Sequence, residues 1–148
     1  MTRVRKNGLW ALMLALLLAA CAAQPLVLAD MPLFAGAVTL ADGEHSLADQ
    51  TREAMAASAE GQGLAAEFAA YTLPEATTWA DLTSFYKEEL ANSDWQSAPQ
   101  LTSDHGEFQA IGWVRGSGDR EQSFVVNYVP DLLGEGAFIL LGLLTEQP

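Results

Sequence analysis

The chain is poor in positive charge and carries one cysteine, two histidines and no apolar run long enough to span a bilayer. Seven Lys and Arg stand against 19 Asp and Glu in 148 residues, a formal net charge of −12. That balance excludes a nucleic-acid face, which works by neutralising phosphates. A single cysteine excludes a disulfide framework within the chain and a multi-cysteine zinc site. There is no Gly-x-Ser-x-Gly elbow, no Walker loop and no His-Glu-x-x-His helix, so the common nucleophile, nucleotide and zinc-hydrolase signatures are missing. What is present is apolar. Half of the residues are hydrophobic and 18% are charged, which suits one packed domain and not a disordered polyelectrolyte.

The first 20 residues have the order of parts of an export signal. Arg3, Arg5 and Lys6 form a basic start, and Leu9 to Ala20 is an uncharged apolar run. It is shorter than the ~20 residues that a membrane-spanning helix needs. Leu18-Ala19-Ala20-Cys21 follows directly. These four residues resemble the lipobox of bacterial lipoproteins. The resemblance implies cleavage before Cys21, diacylglycerol on its sulfur and a further acyl chain (such as palmitate) on the new amino terminus. An ordinary cleaved signal, cut after Val27-Leu28-Ala29, is the alternative. Two or three acyl chains anchor stably where one is marginal. The expected organisation is a lipoprotein signal peptide over 1–20, a short tether over 21–30 and a single domain over 31–148. Cleavage leaves Arg52, Lys87, Arg115 and Arg120 against 19 acids, a net of −15. Acyl chains, rather than a basic patch, are therefore the expected membrane contact.

The patterning of the remaining chain predicts an α+β domain, with two helices packed on one face of a mostly antiparallel sheet of four to five strands. Ala37–Ala41 reads as a short strand closed by Asp42-Gly43. Ser46 is placed to cap a helix, with Asp49 three residues on completing a capping box. Gly61 and Gly63 end that helix. Leu64–Leu73 reads as a strand. Its rival is a continuation of the helix, since alanine and glutamate favour helix by propensity. Thr78 caps a second helix with Leu82, Phe85, Tyr86 and Leu90 on one face. Glu107–Arg115 and Gln122–Val129 read as a hairpin around Gly116–Asp119. Ala137–Thr145 is apolar on both faces, which suits a central strand or a strand paired in a dimer.

Met31-Pro-Leu-Phe-Ala-Gly-Ala37, Phe85-Tyr86-Lys-Glu-Glu-Leu90 and Asp94-Trp95 also resemble short motifs of a group of small uncharacterised bacterial envelope lipoproteins. That group has a Pro-x-aromatic-x-Gly-Ala opening and a Phe-Tyr-x-x-x-Leu helix followed by Gly-Trp. This chain departs with Ala35 where the group often has Pro and Asp94 where it often has Gly. The motifs are structural, and no functional residue is carried over.

Candidate chemistry is sparse. Asp104, His105 and Glu107 share one turn and could approach a metal. Asp42-Gly43-Glu44-His45 is a similar turn, and the two would have to meet to supply three ligands. Two solvated turns is the plainer reading, and no cofactor is expected. Asp131 and Glu135 are a loop pair for calcium without EF-hand spacing. Trp79, Tyr86, Trp95 and Trp113 either line an aromatic cleft for an apolar ligand or partner, or pack the core. The expected function is a membrane-anchored, non-enzymatic binding or accessory domain outside the cytoplasm. Its partner would be a protein or a second copy, met through the sheet. The alternative is a small metal-dependent hydrolase or an apolar-ligand carrier.

Overall fold

The computed structural model describes residues 24–104 and 107–146. The signal peptide over 1–20, Cys21 and the start of the tether lie outside them, as does His105. Six strands form one antiparallel sheet, with β1 at Val38–Thr39, β2 at Leu64–Thr72, β3 at Gln96–Ser97, β4 at Gln109–Arg115, β5 at Gln122–Val129 and β6 at Phe138–Glu146. Two helices complete the α+β fold, α1 over Ser46–Gly61 and α2 over Trp79–Leu90. Strand order is β1-β2-β6-β5-β4-β3. The count exceeds the expected four to five because two-residue strands add to each edge.

β6 explains the architecture. It pairs with β2 from Leu64↔Glu146 to Thr72↔Phe138 and with β5 from Gln122↔Thr145 to Val129↔Phe138. It is a central strand, and a strand buried on both faces reads as a continuous apolar run. Successive side chains point to opposite faces. Ile139, Leu141 and Leu143 join one core with Leu82, Tyr86 and Leu90 of α2, while Phe138 and Leu140 join another with Ala48 of α1. The helices thus cover opposite faces, not one face as expected. An apolar strand in mid-sheet needs a cover on each side, and a single helix stripe covers only one.

Both helix starts show how local chemistry sets an element boundary. Thr78 caps α2 as read. Its Oγ1 accepts from the Asp81 amide at 3.2 Å, and Asp81 Oδ2 accepts from the Thr78 amide at 2.8 Å. The Thr78 hydroxyl and then its amide hold the Asp81 carboxyl below its ordinary pKa. The α1 cap is one residue earlier than expected. His45 Nδ1 accepts from the Ala48 amide at 3.3 Å, and Ser46 turns away to Glu135. Asp49 does not close a box on Ser46. Its Oδ2 accepts from the Gly43 amide at 2.8 Å, and its Oδ1 from Arg52 at 2.7 Å.

The tether reading needs correction from Gln24 onward. Gln122 is buried on the α2 face and treats Leu26 as a neighbouring strand would. Its Oε1 accepts from the Leu26 amide at 3.0 Å, and its Nε2 donates to the Leu26 carbonyl at 2.9 Å. Glu67 accepts from the Leu28 amide at 3.0 Å, and Leu28 and Met31 enter the core. The folded unit therefore begins at residue 24 or before, not at 31.

Candidate functional site

The four aromatic candidates come together, but as packing. Tyr86, Trp95 and Trp113 are buried around Phe124, with ring centroids 5.8, 6.1 and 6.0 Å from it. Trp79 stacks on Tyr128 at 6.1 Å. Between Tyr86, Trp95 and Trp113 no aromatic cleft is left, because Phe124 fills the space among them. Tyr86 is the anomaly. Its hydroxyl is fully buried with no hydrogen-bond partner among the described residues. Burial pushes its pKa far above the ordinary tyrosine range; the backbone of Phe34 lies near enough to oppose that rise in part but not in the geometry of a formed hydrogen bond.

The acidic turns do not assemble. Asp104 accepts from Gln109 at 3.0 Å, and Glu107 is exposed. No group of three metal-capable side chains forms among the described residues. Asp131 accepts from the Gly134 amide at 2.6 Å. Glu135 accepts from the Ser46 amide at 3.0 Å and from its hydroxyl at 3.0 and 3.2 Å. Asp131 is thus occupied by its own loop and Glu135 by the start of α1.

His45 corrects the picture of a solvated turn. It is only 3% exposed, with its ring edge-on to Phe138 at 4.7 Å. Nε2 donates to the Gly136 carbonyl at 3.0 Å while Nδ1 caps α1. Glu135 lies 3.2 Å from Nδ1. A serine, a histidine and a carboxylate thus meet, yet the Ser46 hydroxyl faces Glu135, and both imidazole nitrogens are engaged elsewhere. The imidazole does not address the serine, whose hydroxyl bonds Glu135 directly, so the relay order of a Ser-His-acid triad is not formed. The cluster clasps the start of α1 to the β5–β6 loop.

The candidate site is a groove on the α1 face. α1 covers β2 and β6 and reaches β5 at its end, Val129, and the 3-10 turn Pro99–Leu101 returns over β4. Between them lies a space of about 430 Å³, within the usual size of small-ligand sites. Two glycines shape it. Gly112, Val125, Gly142 and Phe68 are cross-strand neighbours in one row. A Cβ on Gly142 would lie 2.6 Å from the Phe68 ring, and one on Gly112 would strike Leu101. Their absence lets Phe68 and Leu101 lie flat on the sheet as walls, with Val125 as floor. Met55, Ala59 and Leu144 extend the apolar lining, and Ser123 and Asn127 add polar atoms along β5.

Comparison with family models, curated proteins and solved structures finds no match to this chain. The site therefore stands on its own chemistry. Its lining holds no Lys, Arg or His, and its two carboxylates, Glu121 and Glu146, sit together where β5 begins and β6 ends. The Glu146 amide donates to the Glu121 carbonyl at 3.3 Å. The groove was not legible in the sequence, since its lining comes from α1, β2, the Pro99–Leu101 turn, β4, β5 and β6. The one local signal was glycine at Gly112 and Gly142 inside strand patterns, which marks a close approach.

A second space, of about 630 Å³, lies at the same end of the sheet on the α2 face. Arg115 is 8% exposed there. It donates to the Gln24 carbonyl at 3.2 Å, lies 3.5 Å from Asp94 and sits over the Trp95 ring at 5.6 Å. Charges of both signs line this space, and Gln24, where the described residues start, forms part of its wall.

Proposed function

We propose that this chain is a membrane-anchored envelope lipoprotein whose folded domain is a non-enzymatic binding module outside the cytoplasm. The lipobox resemblance at Leu18–Cys21 carries the anchoring half of the reading. Acyl chains on Cys21 are the membrane contact. No helix among the described residues is long and apolar enough to cross a membrane, so the reading needs no second anchor.

The position of Gln24 gives the reading its geometry. Only residues 22 and 23 separate Cys21 from Gln24, whose carbonyl is bound by Arg115. Three residue steps reach at most about 11 Å. An anchor at Cys21 would hold the Arg115 end of the sheet against the bilayer. Binding is favoured over catalysis because the polar clusters of this domain are engaged in its own loops and helix starts, while the groove is apolar and open.

Intact mass of the protein extracted from a bacterial membrane tests the anchor. The expected species begins at Cys21 and carries diacylglycerol. A species that begins at Asp30 without lipid would overturn the reading.

A further inference from the structure

On the α1 face the sheet lies open over the first half of β5, between the helix and the Pro99–Leu101 turn. We propose that this groove takes one acyl chain of a bilayer lipid whose headgroup carries an ammonium. For its source of lipid the proposal rests on the anchored orientation described above. For the class of ligand it rests on the groove itself.

The walls and floor select an apolar chain. Phe68, Leu101 and Val125 offer hydrocarbon surface, and the lack of a Cβ on Gly142 and Gly112 lets Phe68 and Leu101 lie close on the sheet. A space of about 430 Å³ lies toward the small end of ligand sites. It suits one chain rather than both chains of a diacyl lipid, leaving the second chain in the membrane. The headgroup is selected by charge. A lining without Lys, Arg or His offers a free carboxylate or an anionic headgroup neutral hydroxyl and amide donors but no countercharge. Glu121 and Glu146 at the rim attract an ammonium. These two residues lie at the end of the sheet that also carries Arg115 and the docked Gln24, so the rim faces the bilayer in the anchored orientation. A lipid would then extend its head to the rim, one chain into the groove and the other into the membrane.

The test uses the full chain, purified from bacterial membranes and placed on vesicles of digalactosyldiacylglycerol, whose headgroup carries no ammonium and no charge. The vesicles contain a trace of phosphatidylethanolamine with a photoreactive group in one acyl chain. After irradiation, cross-links are expected on peptides carrying Leu101, Val125 and Leu144. Cross-links confined to the α2 face, or none, would overturn the proposal. The double variant Ala110→Leu, Ser123→Leu fills the groove. It is expected to lose about tenfold in labelling, as crowding of an apolar pocket by a few methylenes does, with an unchanged melting transition. Should that variant not fold, the wild-type cross-link map still decides. Phosphatidylglycerol bearing the same chain should label less well, and equal labelling would refute selection by charge. Cys21→Ser separates the two sources of acyl chain. Strong labelling of Cys21→Ser with none of the wild type would mean that the groove holds the protein's own lipid. Groove labelling in a protein whose Cys21 proves unmodified would support the groove while defeating the anchor.

Discussion

Tyr86 and Gln122 are two buried polar residues with opposite outcomes. The Tyr86 hydroxyl has no partner among the described residues, while Gln122 engages both backbone groups of Leu26. An unpaired buried hydroxyl costs about 1–3 kcal/mol, and removing it in an isosteric change is neutral or favourable. Tyr86→Phe should therefore hold or raise stability, by up to about 1 kcal/mol, read from the urea midpoint. It should also change the alkaline limb. The folded pKa of Tyr86 is raised, so its contribution is complete below the unfolded value of about 10 and is lost as pH rises above it. In Tyr86→Phe that part of the alkaline loss should vanish. Gln122→Ala leaves the Leu26 amide and carbonyl unpaired and should cost about 2 kcal/mol. Tyr86 could be placed on the core face of a helix from spacing alone. Nothing in the pattern around Gln122 marks it as buried, because its partner lies 96 residues away.

At the scale of elements, the start of α2 was legible because its whole cap lies within four residues. Thr78→Ala should cost about 1 kcal/mol. Asp81 adds a pH dependence of known sign. Its folded pKa is depressed, so its contribution is present above the ordinary carboxylate range and is lost as pH falls through the folded value. Asp81→Asn should flatten that acid-side slope in a series of denaturation curves. The start of α1 was misplaced by one residue because Glu135 draws off Ser46 from the far side of the domain. The glycine row makes a packing prediction. Gly112→Ala and Gly142→Ala should each cost about 1–3 kcal/mol through overpacking. Phe68→Leu should relieve much of the Gly142→Ala cost, which a double-mutant cycle would register as coupling.

At the scale of the molecule, the boundary of the domain is itself testable. A chain that begins at Met31 loses the burial of Leu28 and the hydrogen bonds to Gln122 and Glu67. It should unfold with about 3 kcal/mol less stability, as those contacts sum on ordinary scales. A true tether over 21–30 would leave the midpoint unchanged. The same docking carries the orientation argument. An anchor joined by a long flexible linker would leave the domain free to turn, whereas an anchor three residues from Gln24 would not.

Periodicity, capping residues and turn glycines lie within a few positions of one another along the chain. By itself the sequence therefore determined that this is an α+β domain with α2 starting after Thr78 and a final strand apolar on both faces; it read a strand before Pro74 but left a helix as its rival, and the structure chose the strand. Only the tertiary structure decided which face each helix covers, that residues 24–31 belong to the domain, that Trp95 and Trp113 close around Phe124, and that a groove stays open over the first half of β5. Each of those depends on which distant segments meet. Pairing by burial is set by the summed packing of the whole sheet and leaves no mark in any one window of residues.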